Sequence, residues 1–126
     1  MLKTSFHLLN IILIIFYLYP GTLLTLFSNN IDIQSELKEE YVILFDHFFS
    51  FLIFGIISLS AFSSKQKFIF IYLLFISIFL EIMHLVIPNR SFEINDLYAN
   101  LFGILISLVL FKSFQFWRKR NGLFRR

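Results

Sequence analysis

The chain has 126 residues, of which 58% are hydrophobic and 15% are charged, and its formal net charge is +3. A soluble domain of this length cannot bury so much apolar surface, because small domains have a high surface-to-volume ratio. The composition therefore excludes an ordinary soluble domain and predicts a single membrane domain over residues 1–126. The positive charge forms no separate basic domain, so no nucleic-acid partner is predicted. The absence of cysteine excludes disulfides and cysteine-ligated metals.

The first apolar run is Phe6–Phe27. At about 1.5 Å per residue, a helix of this length matches a hydrocarbon core of roughly 30 Å. The run is too long for the apolar region of a typical signal peptide and no small-x-small cleavage site follows it, so we expect a retained span. Pro20 and Gly21 predict a kink, because proline removes a backbone donor and crowds the preceding turn.

Three further apolar runs of similar length follow: Tyr41–Phe62, Phe68–Ile87 and Leu97–Phe116. Only helices and closed barrels can cross lipid, and continuous apolar runs of this length are typical of helices. The predicted fold is all-α: a polytopic membrane protein with four transmembrane helices in a bundle. The lipid bilayer is accordingly its first expected partner.

Basic residues predict the direction of the spans. All lysines and arginines except Lys38 and Arg90 lie in the terminal regions or in the connection between the second and third spans. Cytoplasmic loops carry an excess of Lys and Arg. Both termini are therefore predicted to be cytoplasmic, and the first and third connections to face outward.

Polar residues inside the spans lie near this predicted outer boundary, at depths of roughly 5 to 9 Å along three helices. Helical spacing places Ser77, Glu81 and His84 on one face, and gives the fourth span a stripe of Asp96, Asn100, Gly103 and Ser107. A carboxylate facing lipid costs at least about 2.5 kcal/mol, so these faces should meet. The sequence thus predicts an outward-facing polar pocket formed by Asp46, His47, Glu81, His84, Arg90, Asp96 and Asn100.

Four of these residues also have a purely structural explanation. Asp96 could be the N-cap of the fourth span. Asp46 and His47 could be interfacial groups that reach for water. Arg90, whose planar fork suits carboxylate or phosphate, could instead form a structural pair with Glu81 or Asp96.

The run EIMHLVIPNRSFEINDLYANLFG, from Glu81 to Gly103, resembles the VanZ-like family of small membrane proteins. The matching positions are Glu81, His84, Pro88, Arg90, Ser91, Asp96, Ala99, Asn100 and Gly103. The second span resembles the family's D-K-x-x-H-F segment through Asp46 and Phe51, but His47 and Ser50 stand where the family has lysine and histidine. Glutamine is commoner than histidine at the place of His84. The resemblance implies the cytoplasmic membrane of a bacterial cell envelope and a link to glycopeptide (teicoplanin) resistance, without implying a reaction.

Three functions remain open from the sequence. One is a pocket in which Arg90 holds the phosphate or carboxylate of an anionic envelope lipid or glycan. Another is an intramembrane metal-assisted or acid–base enzyme, for which no catalytic residue can be named. The last is a non-catalytic accessory of a larger envelope complex, and an oligomer is compatible with each.

The spacing Glu81-x-x-His84 is used by metal sites in helix bundles. A di-iron site normally requires two such motifs, and the chain has one, so the sequence predicts neither a metal nor another cofactor. If a metal were bound, its ligands would come from Glu81, His84, Asp46 and Asp96, with His47 able to complete the shell.

Overall fold

The computed structural model describes residues 1–18, 36–88, 90–120 and 122, and it is all-helical over these residues. The described ranges contain four α-helices: α1 (Leu2–Leu18), α2 (Glu36–Ala61), α3 (Gln66–Met83) and α4 (Ile94–Arg120). A short 3₁₀ turn, Ser63–Lys65, joins α2 to α3. The predicted all-α class is confirmed.

The helix bounds differ from the predicted spans in ways that matter for the site. Helix α3 ends at Met83, four residues before the predicted end at Ile87, so His84 lies just beyond the last helical turn. Pro88 explains this early end, since proline disfavours the helical conformation of the residue before it. The predicted kink at Pro20 and Gly21, like the second half of the first predicted span, lies outside the described residues.

Within the described residues, three segments are long and apolar enough to cross a membrane: Ile43–Ala61, Ser63–Met83 and Ile94–Arg120. Helix α1 is also apolar but shorter over its described length. In the most apolar 18 residues of each segment, only about a third of the residues are buried within the protein (33%, 33% and 28%). The remaining surface is rich in exposed phenylalanine, leucine and isoleucine. A large apolar surface of this kind is expected to face lipid, which identifies the chain as a membrane protein.

The most extensive contact between helices joins α2 and α4. Glycines permit their close approach. A Cβ atom added to Gly103 would lie 2.5 Å from the carbonyl oxygen of Phe48 and 3.0 Å from the amide nitrogen of Leu52. A Cβ atom on Gly55 would overlap the side chain of Ser107. Gly103 and Ser107, two members of the predicted stripe of α4, therefore lie in the helix interface, where small residues let backbones approach each other.

Phenylalanine side chains fill much of the space that remains between the helices. Phe51 and Phe54 of α2 are buried, and the Phe54 ring stacks on Phe6 of α1 with 5.6 Å between ring centroids. Phe6 also meets Phe62 edge to face, which ties α1 to the far end of α2. Helix α1 contacts both α2 and α3. This packing brings its last described turn towards the polar residues of the other helices.

Candidate functional site: a buried polar cluster beside a cavity

Six buried residues from all four helical regions form a polar cluster. Helix α1 contributes Tyr17 and α2 contributes His47. Glu81 comes from α3, and His84 follows that helix directly. Asp96 and Asn100 lie on α4. All six are at most 7% exposed: Tyr17, His47, Glu81, His84, Asp96 and Asn100.

Glu81 is fully buried, with one well-supported carboxylate oxygen. Its Oε1 accepts a hydrogen bond from the backbone N–H of Glu93 at 3.0 Å and lies 3.4 Å from His84 Nδ1. The connection between α3 and α4 thus folds back so that its backbone supports the carboxylate. Glu81 Oε2 is buried and has no hydrogen-bond partner within the described residues. One oxygen is held in position, and the other remains available to a ligand.

Both ring nitrogens of His84 face oxygen atoms. Nε2 lies 3.1 Å from the backbone carbonyl oxygen of Tyr17, which can only accept a hydrogen bond, so Nε2 must carry a proton. Nδ1 faces Glu81 Oε1. That second contact is favourable only when a proton lies between the two groups, on the imidazole or on the carboxyl. Glu81 and His84 therefore form a proton-sharing pair, and neither nitrogen of His84 has a lone pair left for a ligand.

Tyr17 joins the helices at the centre of the cluster. Its hydroxyl donates a 2.7 Å hydrogen bond to Asn100 Oδ1. Its ring stacks on His84 with an interplanar angle of 14° and meets His47 edge to face at 4.9 Å. Sequence reasoning missed this residue. The sequence does hold one indication that Tyr17 is buried. It lies eleven residues after Phe6 and on the same helix face as buried Leu13. It also lies inside the predicted span and not at its end.

His47 and Asp96 face each other across the interface of α2 and α4. His47 Nδ1 lies 2.9 Å from the carbonyl oxygen of Ile43 and must donate to it. His47 Nε2 points towards Asp96 Oδ2 at 3.7 Å and has no hydrogen-bond partner within the described residues. Because α4 begins at Ile94, Asp96 lies inside its first turn. The alternative of an N-cap preceding the helix is therefore wrong.

A cavity of about 210 Å³ adjoins the cluster. One part of its lining is polar and comprises Tyr17, Asp46, His47, Ser50, His84 and Arg90. The rest is apolar and is formed mainly by α1 and α2: Leu9, Ile12, Leu13, Phe16, Ile43, Ile53 and Phe54. The sequence-predicted residues thus divide into two sets. Asp46 and Arg90 line the cavity, Glu81, Asp96 and Asn100 belong to the cluster, and both histidines belong to both.

One group of side chains has the geometry of a cation site. His47, Glu81 and Asp96 each offer a ligand atom, and these atoms all lie within 4.8 Å of one another. This set differs from the candidates taken from the sequence. His84 uses both nitrogens elsewhere, and Asp46, half-buried on the cavity wall, is not part of the group. His47 takes their place.

A family model described as VanZ/LLP1 matches residues 3–117. The chain belongs to the VanZ/LLP1 family. This confirms the predicted family, and the match extends beyond the three spans that suggested it to include most of α1. Comparison with curated proteins and with solved structures gave no match. Several of the residues that carried the resemblance lie in the most polar or most closely packed parts of the VanZ/LLP1 chain: Glu81 and Asn100 belong to the cluster and Gly103 to the α2–α4 contact.

Proposed function

We propose that this VanZ/LLP1 protein is a multi-pass protein of the bacterial cytoplasmic membrane that binds an anionic, amphipathic component of the cell envelope. The cavity carries the proposal, because it has polar groups on one side and an apolar wall on the other. A ligand with a charged head and a hydrocarbon tail matches both parts at once. Neither a free ion nor an uncharged lipid would use both.

In the orientation that we propose, this cavity would lie on the outer side. The excess of Lys and Arg in the terminal regions and in the second connection favours cytoplasmic termini. Glu93, in the third connection, would then face outward, and Arg120, at the end of α4, would face inward. Because the chain has no cysteine, single cysteines at these two positions should react with a membrane-impermeant reagent from opposite sides. Labelling of both from one side would contradict the proposed topology.

Arg90 is the natural contact for the anionic head. It lies in the connection between α3 and α4 and lines the cavity beside His84. Its guanidinium presents donors in a planar fork that matches phosphate or carboxylate. Glu81 and Asn100, behind it, would fix the position of His84 and Tyr17 on the cavity wall through their hydrogen bonds.

The size of the cavity limits what enters it. At about 30 Å³ per water molecule in the liquid, 210 Å³ corresponds to roughly seven waters. This holds a phosphate-sized head and the first carbons of a chain, but not a whole lipid. The remainder of the tail would continue into the bilayer. Handling of such a component is how this protein would take part in glycopeptide (teicoplanin) resistance, the setting implied by the family resemblance.

The test is a titration of the purified protein with hexadecyl phosphate, followed by native mass spectrometry, with hexadecanol as the uncharged control. Hexadecyl phosphate should bind more tightly, and Arg90→Gln should weaken its binding by about 10- to 100-fold, the range for a lost hydrogen bond to a charged group. Arg90→Lys should recover part of the affinity, since it restores the charge but not the fork. Lys112→Gln, which removes an exposed cation from α4, is the matched control and should change nothing.

Two results would contradict the proposal: equal binding of the phosphate and the alcohol, or unchanged binding by Arg90→Gln. In cells, Glu81→Gln and Arg90→Gln should abolish the phenotype of the wild-type gene while membrane insertion persists. If both variants keep wild-type activity, the protein is a non-catalytic accessory and does not bind an anionic ligand. Its polar groups would then serve only to hold the helices together.

A further inference from the structure

The group formed by His47, Glu81 and Asp96 carries an inference that is independent of the cavity. These side chains come from three helices, are 6%, 0% and 4% exposed, and place their ligand atoms within 4.8 Å of one another. Buried charges in proteins are normally paired or coordinate a metal. Two carboxylates and an imidazole brought together in a membrane protein therefore call for a positive species among them.

The protonation of His47 is set by its own helix. The carbonyl oxygen of Ile43 requires a proton on Nδ1, so the lone pair of the neutral ring is on Nε2. That lone pair points towards Asp96 Oδ2 at 3.7 Å, although both atoms are acceptors. Metal-binding histidines commonly show this arrangement, in which one nitrogen donates to a backbone carbonyl and the other faces the ion.

Two further observations point to the same location. His47 Nε2 and Glu81 Oε2 are buried and have no hydrogen-bond partner within the described residues. Glu81 is held through its other oxygen, which accepts from the backbone N–H of Glu93 and contacts His84. The supporting contacts orient the ligand group and leave the second oxygen open. This is the usual division between metal ligands and the outer residues that position them.

We propose that His47 Nε2, Asp96 Oδ2 and Glu81 Oε2 bind a divalent first-row transition-metal ion, with Zn²⁺ as the best match. Around a tetrahedral ion with bonds of about 2.1 Å, ligand atoms lie about 3.4 Å apart. The His47–Asp96 distance of 3.7 Å is already close to this value. The limit of 4.8 Å, which holds for one carboxylate oxygen of each acid, leaves at most about 1.4 Å to close.

The ligand set favours this class of ion over the alternatives. Imidazole nitrogen suits zinc and its neighbours, whereas magnesium and calcium prefer a shell of oxygen atoms. Two carboxylates offset the charge of a divalent ion, and the proton shared by Glu81 and His84 leaves the complex with one net positive charge. A proton bound by the cluster is the competing explanation, and the experiment must separate the two.

The test is a Co²⁺ titration of metal-depleted protein in detergent, because Co²⁺ replaces Zn²⁺ in such sites and gives visible absorption bands when bound. One ion per chain should bind with bands that saturate, and metal analysis after dialysis against Zn²⁺ should also give one ion. His47→Asn and Asp96→Asn should each abolish the bands. His84→Asn should weaken binding by about 10- to 100-fold, as expected for a residue that positions a ligand.

Two controls isolate the site. His7→Asn removes an exposed histidine of α1 and should leave binding unchanged. Asp46→Asn removes the neighbouring cavity carboxylate and should also leave it unchanged, whereas the ligand set taken from the sequence would require it. Absence of stoichiometric metal from folded wild-type protein, or saturating bands that persist in His47→Asn, would overturn the site and leave a proton as the cation. The hexadecyl phosphate titration in chelator-containing buffer is unaffected by that outcome, so the two proposals fail separately.

Discussion

The polar cluster and the buried serines lie on the same helices but use their polar atoms in opposite ways. Ser58, Ser77 and Ser107 are fully buried, and each donates a hydrogen bond to a carbonyl oxygen of its own helix, at 2.6, 2.9 and 2.7 Å respectively. In the cluster, three side chains keep a buried polar atom that has no partner within the described residues: His47, Glu81 and Asn100.

The difference distinguishes polar residues that serve packing from those that serve binding. A serine hydroxyl is short enough to reach the preceding turn, so it lets helices approach without an energetic penalty. A buried polar atom without a partner costs about 1 to 3 kcal/mol. Proteins retain such atoms at sites where a bound ligand or ion offsets this cost. The predictions below test whether the two regions respond to mutation as this distinction requires.

The largest effect on stability should come from the close contact between α2 and α4. Gly103→Val places a side chain against the backbone of α2, which cannot move aside, and should destabilise the fold by about 3 kcal/mol or more. The measurement is the thermal midpoint and the monodisperse fraction of the protein in detergent. A Gly103→Val variant as stable as the wild type would show that α2 and α4 do not approach as described.

Gly55→Ala is the matched comparison, because its new methyl group overlaps the side chain of Ser107 and no backbone atom of α4. We expect a loss nearer to about 1 kcal/mol. The double variant Gly55→Ala with Ser107→Gly should recover most of it, since the obstructing atoms are removed. Failure of this rescue would place the obstruction elsewhere in the α2–α4 interface.

Tyr17→Phe should have the next largest effect. The change leaves Asn100 Oδ1 buried without its donor and should cost about 1 to 2 kcal/mol in thermal stability. It should also weaken ligand binding, because the ring and hydroxyl hold His84 and Asn100 in place. Tyr98→Phe, which removes the hydroxyl of an exposed tyrosine, should have neither effect. If the two variants had the same stability and ligand binding, Tyr17 would not be part of the cluster.

The smallest effect should come from the serines. Ser58→Ala removes a hydroxyl that bonds only to its own helix, so stability should change by less than about 0.5 kcal/mol. Neither hexadecyl phosphate nor Co²⁺ binding should change. A loss of binding in Ser58→Ala would contradict the separation of the two regions.

The sequence was sufficient to predict which faces of α3 and α4 are buried. Helical spacing grouped Ser77, Glu81 and His84, and all three are at most 1% exposed. The reason is physical: charge in lipid is costly, so polar positions on a long apolar helix mark the face that points inward.

Other features could not be predicted, because they depend on how the helices pack. Asp46 and His47 are neighbours in sequence, and only the contact of α2 with α4 decides that His47 faces Asp96 while Asp46 lines the cavity. The place of Tyr17 depends on where α1 packs, and local pattern does not contain that information. The backbone support of Glu81 by Glu93 depends on the path of the connection between α3 and α4.

The most direct test of the central claim is Asp96→Asn, measured for both metal binding and stability. If the cluster exists to bind a cation, the variant should lose Co²⁺, and its metal-free thermal stability should rise. The reason is that the amide removes one buried carboxylate and offers a donor to His47 Nε2, a gain of about 1 kcal/mol. A metal-free stability that falls while Co²⁺ binding is unchanged would contradict the account and assign the cluster to holding the helices together.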